Sequence, residues 1–103
     1  MEIIETPIFT KRITSIIDDD DYRSLQSELV KNPEVGKKIP SAKGLRKLRW
    51  AIPGKGKRGG IRVIYYWYFS KAIILMSFVY KKSEIGDLTK EQLKNLVKHI
   101  KAV

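Results

Sequence analysis

Two apolar runs, I-R-V-I-Y-Y-W-Y-F over residues 61–69 and A-I-I-L-M-S-F-V-Y over residues 72–80, are separated only by Ser70 and Lys71. Runs this rich in β-branched and aromatic residues read as strands, and so short a link makes them antiparallel neighbours. Residues 45–52, L-R-K-L-R-W-A-I, read as a third strand. Along the second strand, alternation puts Arg62, Ile64, Tyr66 and Tyr68 on one face and Ile61, Val63, Tyr65, Trp67 and Phe69 on the other. The second set suits a core, so Arg62 emerges on the opposite side with tyrosines beside it.

Ahead of the strands the apolar period is helical. Thr6-Pro7 is a helix start, with threonine as N-cap and proline at the first helical position, and Phe9, Ile13, Ile16 and Ile17 follow at helical spacing. The acidic run Asp18 to Asp21 ends that helix and loads the N-terminus of a second one, whose stripe is Tyr22, Leu25 and Leu29. That helix stops before Asn32-Pro33. A short strand over residues 2–5 can precede the pair. After the strands, Thr89 and Gln92 fit a capping box, Leu88 and Leu93 a hydrophobic staple, and Leu93, Leu96, Val97 and Ile100 the apolar face of a last helix. The expected fold is α+β: a helical hairpin on a small antiparallel sheet, with a C-terminal helix, all in one domain over residues 1–103.

Charge is unevenly placed. Residues 1–42 hold eight acids and six bases, a balance of −2, whereas residues 43–103 hold three acids and fifteen bases, a balance of +12. Residues 43–62, K-G-L-R-K-L-R-W-A-I-P-G-K-G-K-R-G-G-I-R, carry eight cations, five glycines and no acid. A glycine-loosened cationic loop between two strands suits a phosphate-rich ligand, which points to nucleic acid. No apolar stretch is long enough for a membrane-spanning helix, and M-E-I-I-E-T-P lacks the features of a secretion signal, so the expected location is the cytoplasm. With no cysteine and one histidine, His99, neither thiolate chemistry nor a dedicated metal site is expected, and no cofactor is called for.

Arg46, Lys47, Arg49, Lys55, Lys57, Arg58 and Arg62 lie on or between adjacent strands and should converge on folding. RNA cleavage without metal needs such a group. A ribose 2′-OH must lose its proton, charge building on the phosphorane must be stabilised, and the departing 5′-oxygen must gain a proton. Guanidinium groups supply the stabilisation, and lysines beside other cations exchange protons more readily.

The blocks G-L-R-K-L-R, G-K-G-K-R-G-G-I-R-V-I-Y-Y and F-V-Y-K-K-S-E-I-G-D-L-T, in that order, resemble the HigB-type branch of the RelE/ParE superfamily of bacterial type II toxin–antitoxin toxins. The likeness implies a RelE-like fold and a ribosome-dependent mRNA endoribonuclease that leaves a 2′,3′-cyclic phosphate and is held in check by an antitoxin. The antitoxin, the ribosome and mRNA are the implied partners, with DNA met only through the antitoxin. By position, the resemblance makes Arg62 the arginine that supports the scissile phosphate and Arg49 a strand cation facing the site. Lys81 or Lys82 becomes the basic residue at the end of the last strand, and Lys55, Lys57 and Arg58 become a loop that grips RNA. Several relatives have a tyrosine or histidine soon after that last basic residue. Here the chain reads Ser83-Glu84-Ile85-Gly86-Asp87-Leu88, which leaves the general base open among Tyr66, Tyr80, Glu84 and a lysine.

Two other functions fit the same residues: a ParE-like toxin that binds gyrase, and a nucleic-acid-binding module without activity. Fold alone does not choose among them. Of the remaining notable residues, His99 reads as solvated surface and Trp67 as core, Trp50 fits either core or base stacking, and Asp18 to Asp21 read as a helix cap and not a calcium loop.

Overall fold

The structure is a computed structural model that describes residues 1–52 and 60–101. Strand β1 (Glu2–Glu5) leads into helices α1 (Pro7–Ile16) and α2 (Asp19–Lys31), then β2 (Lys37–Lys38) and β3 (Arg46–Trp50). Strands β4 (Ile61–Tyr68) and β5 (Ile73–Lys81) and helix α3 (Lys90–Ile100) complete the order. The five strands form one sheet in the order β1-β5-β4-β3-β2, antiparallel except for β1, which runs parallel to β5.

Local chemistry sets the helix ends. The Thr6 hydroxyl accepts from Phe9 N–H and donates to the Ser77 carbonyl at 2.8 Å, so one side chain caps α1 and fastens it to β5. Asp18 caps α2 through Asp21 N–H. Thr89 and Gln92 close a reciprocal capping box on α3. Each such cap contributes about 1 kcal/mol.

Helices α1 and α2 lie on one face of the sheet, where Phe9, Ile13, Leu25 and Leu29 pack against Leu48, Ile61, Val63, Tyr65, Ile74 and Val79. That face of β4 is the one alternation assigned to the core, with Trp67 packed at its margin, but Phe69 departs from it: β4 ends at Tyr68, and Phe69 opens the 3₁₀ turn and is 77% exposed. The other face is buried too. Helix α3 sets Leu96 over Ala42, Leu45, Ile64 and Tyr80, which makes a second apolar cluster and a three-layer arrangement.

Strand β5 pairs with β1 only as far as Met76, and beyond it the outer edge would present bare carbonyls. Helix α1 covers that edge: Thr6 donates to Ser77 O, and Arg12 donates through Nε to Val79 O at 2.7 Å while its guanidinium lies over the Phe78 ring. Satisfying an edge with side chains removes a template for pairing with another chain. A register shift between Ile64 and Tyr65 leaves Ser77 as the extra residue of β5.

The segment that enters β2 is clasped by Tyr65. Its fully buried hydroxyl donates to Pro33 O at 2.7 Å and accepts from Gly36 N at 2.8 Å. Gly36 is needed for this approach, since a Cβ there would stand 2.7 Å from the tyrosine ring. After β2 the chain turns through Ser41, Lys43 and Gly44, all with positive φ.

Candidate nucleic-acid interface

Facing residues of neighbouring strands share a side of the sheet, so register decides which cations meet. Arg49 of β3 stands opposite Arg62 of β4, and Arg62 stands opposite Tyr80 of β5. Two residues along, Lys47, Ile64 and Phe78 form the next row on the same side. The ladder runs one residue past β5, where Lys82 N donates to Gly60 O at 3.4 Å. Strand β5 ends at Lys81, and Lys82 is the first residue of the turn that follows, closed by Glu84 N and Ile85 N donating to Lys81 O. Lys81 faces Ile61 in the row that begins with Trp50, on the α1/α2 side. Register therefore sets Lys81 on the side of the sheet away from both arginines, whereas Lys82 lies past the strand, exposed in the turn.

Arg46 lies in the row of Tyr65 on the α1/α2 side, where its guanidinium donates to Gly36 O at 2.8 Å and Glu34 O at 3.2 Å. It pins the chain before β2 and does not join the arginine pair. Lys55, Lys57 and Arg58 lie outside the described residues.

The arginines of the central row are weakly committed. Arg62 makes one long contact, 3.4 Å to Ile61 O, and Arg49 is exposed with no ion-pair partner among the described residues. Tyr80 is 1% exposed beside them. Burial pushes its pKa up, the Arg62 charge pulls it partly back, and Asp87 raises it again. At neutral pH its phenol stays protonated and can donate. Of the other residues weighed as proton acceptors, Tyr66 is half-buried edge-on against Tyr68 with ring centroids 4.6 Å apart, and Glu84 is exposed in the turn after β5.

Asp87 is a site feature that the sequence did not single out. Its carboxylate is 3.9 Å from Lys47 Nζ, and its field reaches Tyr80. The pair borders a cleft of about 150 Å³ between the sheet and the start of α3, walled by Ile39, Ile64, Tyr80 and Leu93. Only the strand register, joined to the path of the turn after β5, brings residue 87 beside residue 47. No spacing in the sequence signals it.

A face carrying Lys47, Arg49 and Arg62 around a buried, protonated phenol, with Lys82 exposed in the turn just past it, can hold a phosphodiester, stabilise extra negative charge on it and supply a proton. Among the described residues, no three of His, Asp and Glu gather as a metal site would require, and no helix is long and apolar enough to cross a membrane. His99 is exposed on α3, and Trp50 packs its half-buried ring against the α1/α2 core.

No protein-family model matches the chain. Among solved structures, the fold is similar to that of a double-alanine mutant of E. coli toxin RelE in the free state, with a TM-score of 0.65, 16% sequence identity and 96% of each chain covered. At that identity the likeness establishes a shared RelE-type α+β fold.

Proposed function

We propose that this chain is the toxin of a type II toxin–antitoxin pair and acts as an endoribonuclease on mRNA at the ribosome. The observation that carries this reading is the direct opposition of Arg49 and Arg62 on one sheet face, next to buried Tyr80. Two guanidinium groups on facing positions repel each other, and a binding site for a multiply charged anion is what offsets that cost. The RelE-type fold supports the same reading.

In the proposed reaction the ribose 2′-oxygen gives up its proton to a base, with Tyr66, Glu84 and a lysine as the candidates, and bonds to phosphorus, and the bond from phosphorus to the 5′-oxygen breaks. The products are a 2′,3′-cyclic phosphate and a free 5′-hydroxyl. Arg62 and Arg49 hold the non-bridging oxygens as their charge grows, which is worth most when the donors are fixed before the reaction. Lys82, in the turn just past β5, is the group we assign to protonate the departing oxygen or share in the stabilisation. The Tyr80 phenol stays protonated beside the two arginines, its pKa raised by burial and partly pulled back by the Arg62 charge. Lys47 adds charge along the RNA path. The antitoxin opposes a basic face, so acidic surface on it speeds and strengthens capture.

Inducible expression with mapping of mRNA ends tests the assignment. Cuts in phase with codons in translated messages, absent in Arg62→Ala, are expected. Growth arrest with intact messages and damaged DNA would show a gyrase poison instead, and no arrest at all would leave a binding module.

A further inference from the structure

We propose that the groove between α1 and α3 is a docking site for an acidic amphipathic helix of a partner protein; that this partner is the antitoxin rests on the reading above. Ile8 of α1, Phe78 of β5, Leu88 ahead of α3 and Leu96 within it line the groove, with the amides of Gln92 and Asn95 beside them, around a volume of about 190 Å³. The lining meets solvent. Ile8 is 40% exposed, Gln92 and Asn95 are exposed, and Phe78 and Leu88 are half-buried. The volume falls below the roughly 300–1,000 Å³ of sites that enclose a small ligand. It has room for the anchoring side chain of a partner whose remainder lies across the two helices, which is how an amphipathic helix sits in a groove.

Arg12 gives the groove its charge preference. It follows Ile8 by one helical turn, about 6 Å along α1, so the two share a face of that helix. Its guanidinium lies 5.0 Å from the Phe78 ring centroid, and its Nε–H is committed to Val79 O at 2.7 Å. Those contacts fix the plane of the fork, while its Nη donors have no partner among the described residues. Covering the edge of β5 uses the Nε–H alone. A fixed guanidinium with open donors at the end of an apolar groove matches a carboxylate. A partner helix that sets a large aliphatic residue in the groove and a glutamate one turn further on reaches both features. RNA suits the groove less well, because none of its lining residues is cationic and binding to phosphates draws on several cations.

The test titrates the full chain, labelled at isoleucine and leucine methyls and at arginine Nε, with an alanine-rich helical peptide that carries leucine and, one turn on, glutamate. NMR signals of Ile8, Leu88, Leu96 and Arg12 should move together and saturate. Replacing the peptide's glutamate by glutamine should weaken binding about fivefold, the upper end for a partly exposed ion pair. Replacing its leucine by alanine should weaken binding about tenfold or more. Arg12→Gln should erase the preference for glutamate over glutamine. Because that change also removes the contact to Val79, Asn95→Glu is its companion: it sets a carboxylate at an exposed position beside the groove and should weaken the glutamate peptide more than the glutamine one. Groove signals that stay still, or that respond equally to both peptides, overturn the proposal. Movement of the same methyls on adding single-stranded RNA also overturns it, since the groove would then belong to the nucleic-acid path. The mapping of message ends decides the nuclease reading separately: groove binding with uncut messages leaves the docking site without the nuclease, and phased cuts with a silent groove leave the nuclease without the docking site.

Discussion

Replacing Arg62 with glutamine should stabilise the fold while it removes activity. Arg62 and Arg49 face each other across β3 and β4, and like charges in that relation destabilise a strand pair. Taking two unit charges about 8 Å apart in a water-like dielectric, Coulomb's law gives about 0.5 kcal/mol of repulsion. At physiological ionic strength, where the Debye length is about 8 Å, roughly 0.2 kcal/mol remains. Glutamine keeps part of the aliphatic stem, so little packing is lost. A gain of about 0.5 kcal/mol in a domain of this size corresponds to a Tm about 2–4 °C higher. Thermal and urea melts at low ionic strength should show the gain, and melts near 1 M salt, where the Debye length is about 3 Å, should not. In parallel, cleavage of translated message should fall at least about a hundredfold, the scale for removing one donor to a developing oxyanion. A variant that loses more than about 1 kcal/mol equally at both salts would refute the reasoning, because losses of that size come from packing and buried contacts.

Four further outcomes rest on the contacts described. Tyr65→Phe leaves the buried Gly36 N–H without its acceptor and should cost about 1–3 kcal/mol in urea melts. Gly36→Ala should be at least as damaging, because its Cβ meets the Tyr65 ring at 2.7 Å. Thr89→Ala removes the capping box of α3 and should cost about 1 kcal/mol, with faster amide exchange confined to the first turn of that helix. Alkaline pH should unfold the protein progressively. Burial raises the pKa of Tyr22, Tyr65 and Tyr80, whereas unfolded tyrosine ionises near about pH 10. Above that pH the unfolded chain binds fewer protons than the native one, so stability falls as pH rises. Urea melts at pH 8 and pH 11 should differ in this direction, and Tyr65→Phe should show a shallower decline.

What could be read in the chain was whatever depends on near neighbours. Thr6-Pro7, Asp18 and the Thr89/Gln92 pair act within four residues, so their caps were legible. The strands over residues 61–69 and 72–80 were legible from alternation, and they form β4 and β5 with a 3₁₀ turn between. The second core was not, because Ile64 and Tyr80 share a face with Arg62 and only the return of α3 shows that this face is partly covered. Two-residue β2 carries too short a pattern to read, and the parallel pairing of β1 joins segments about seventy positions apart. In the candidate site, Arg46 illustrates a signal that was present: it shares parity with Leu48, whereas Lys47 and Arg49 share the other, so alternation along R-K-L-R-W already separates it from the arginine pair. Asp87 had no such signal, since its approach to Lys47 is set by a turn and a register.

The pairing of β1 with β5 governs when the protein comes into being during synthesis. The first strand and the hydroxyl of Thr6 find their partners only at residues 73–77, so the hairpin helices leave the ribosome with no surface to lie on. Contacts so distant in sequence make the last strand the closing step of folding. A nascent chain interrupted before that point carries the arginines but not the strand that sets Tyr80 beside them.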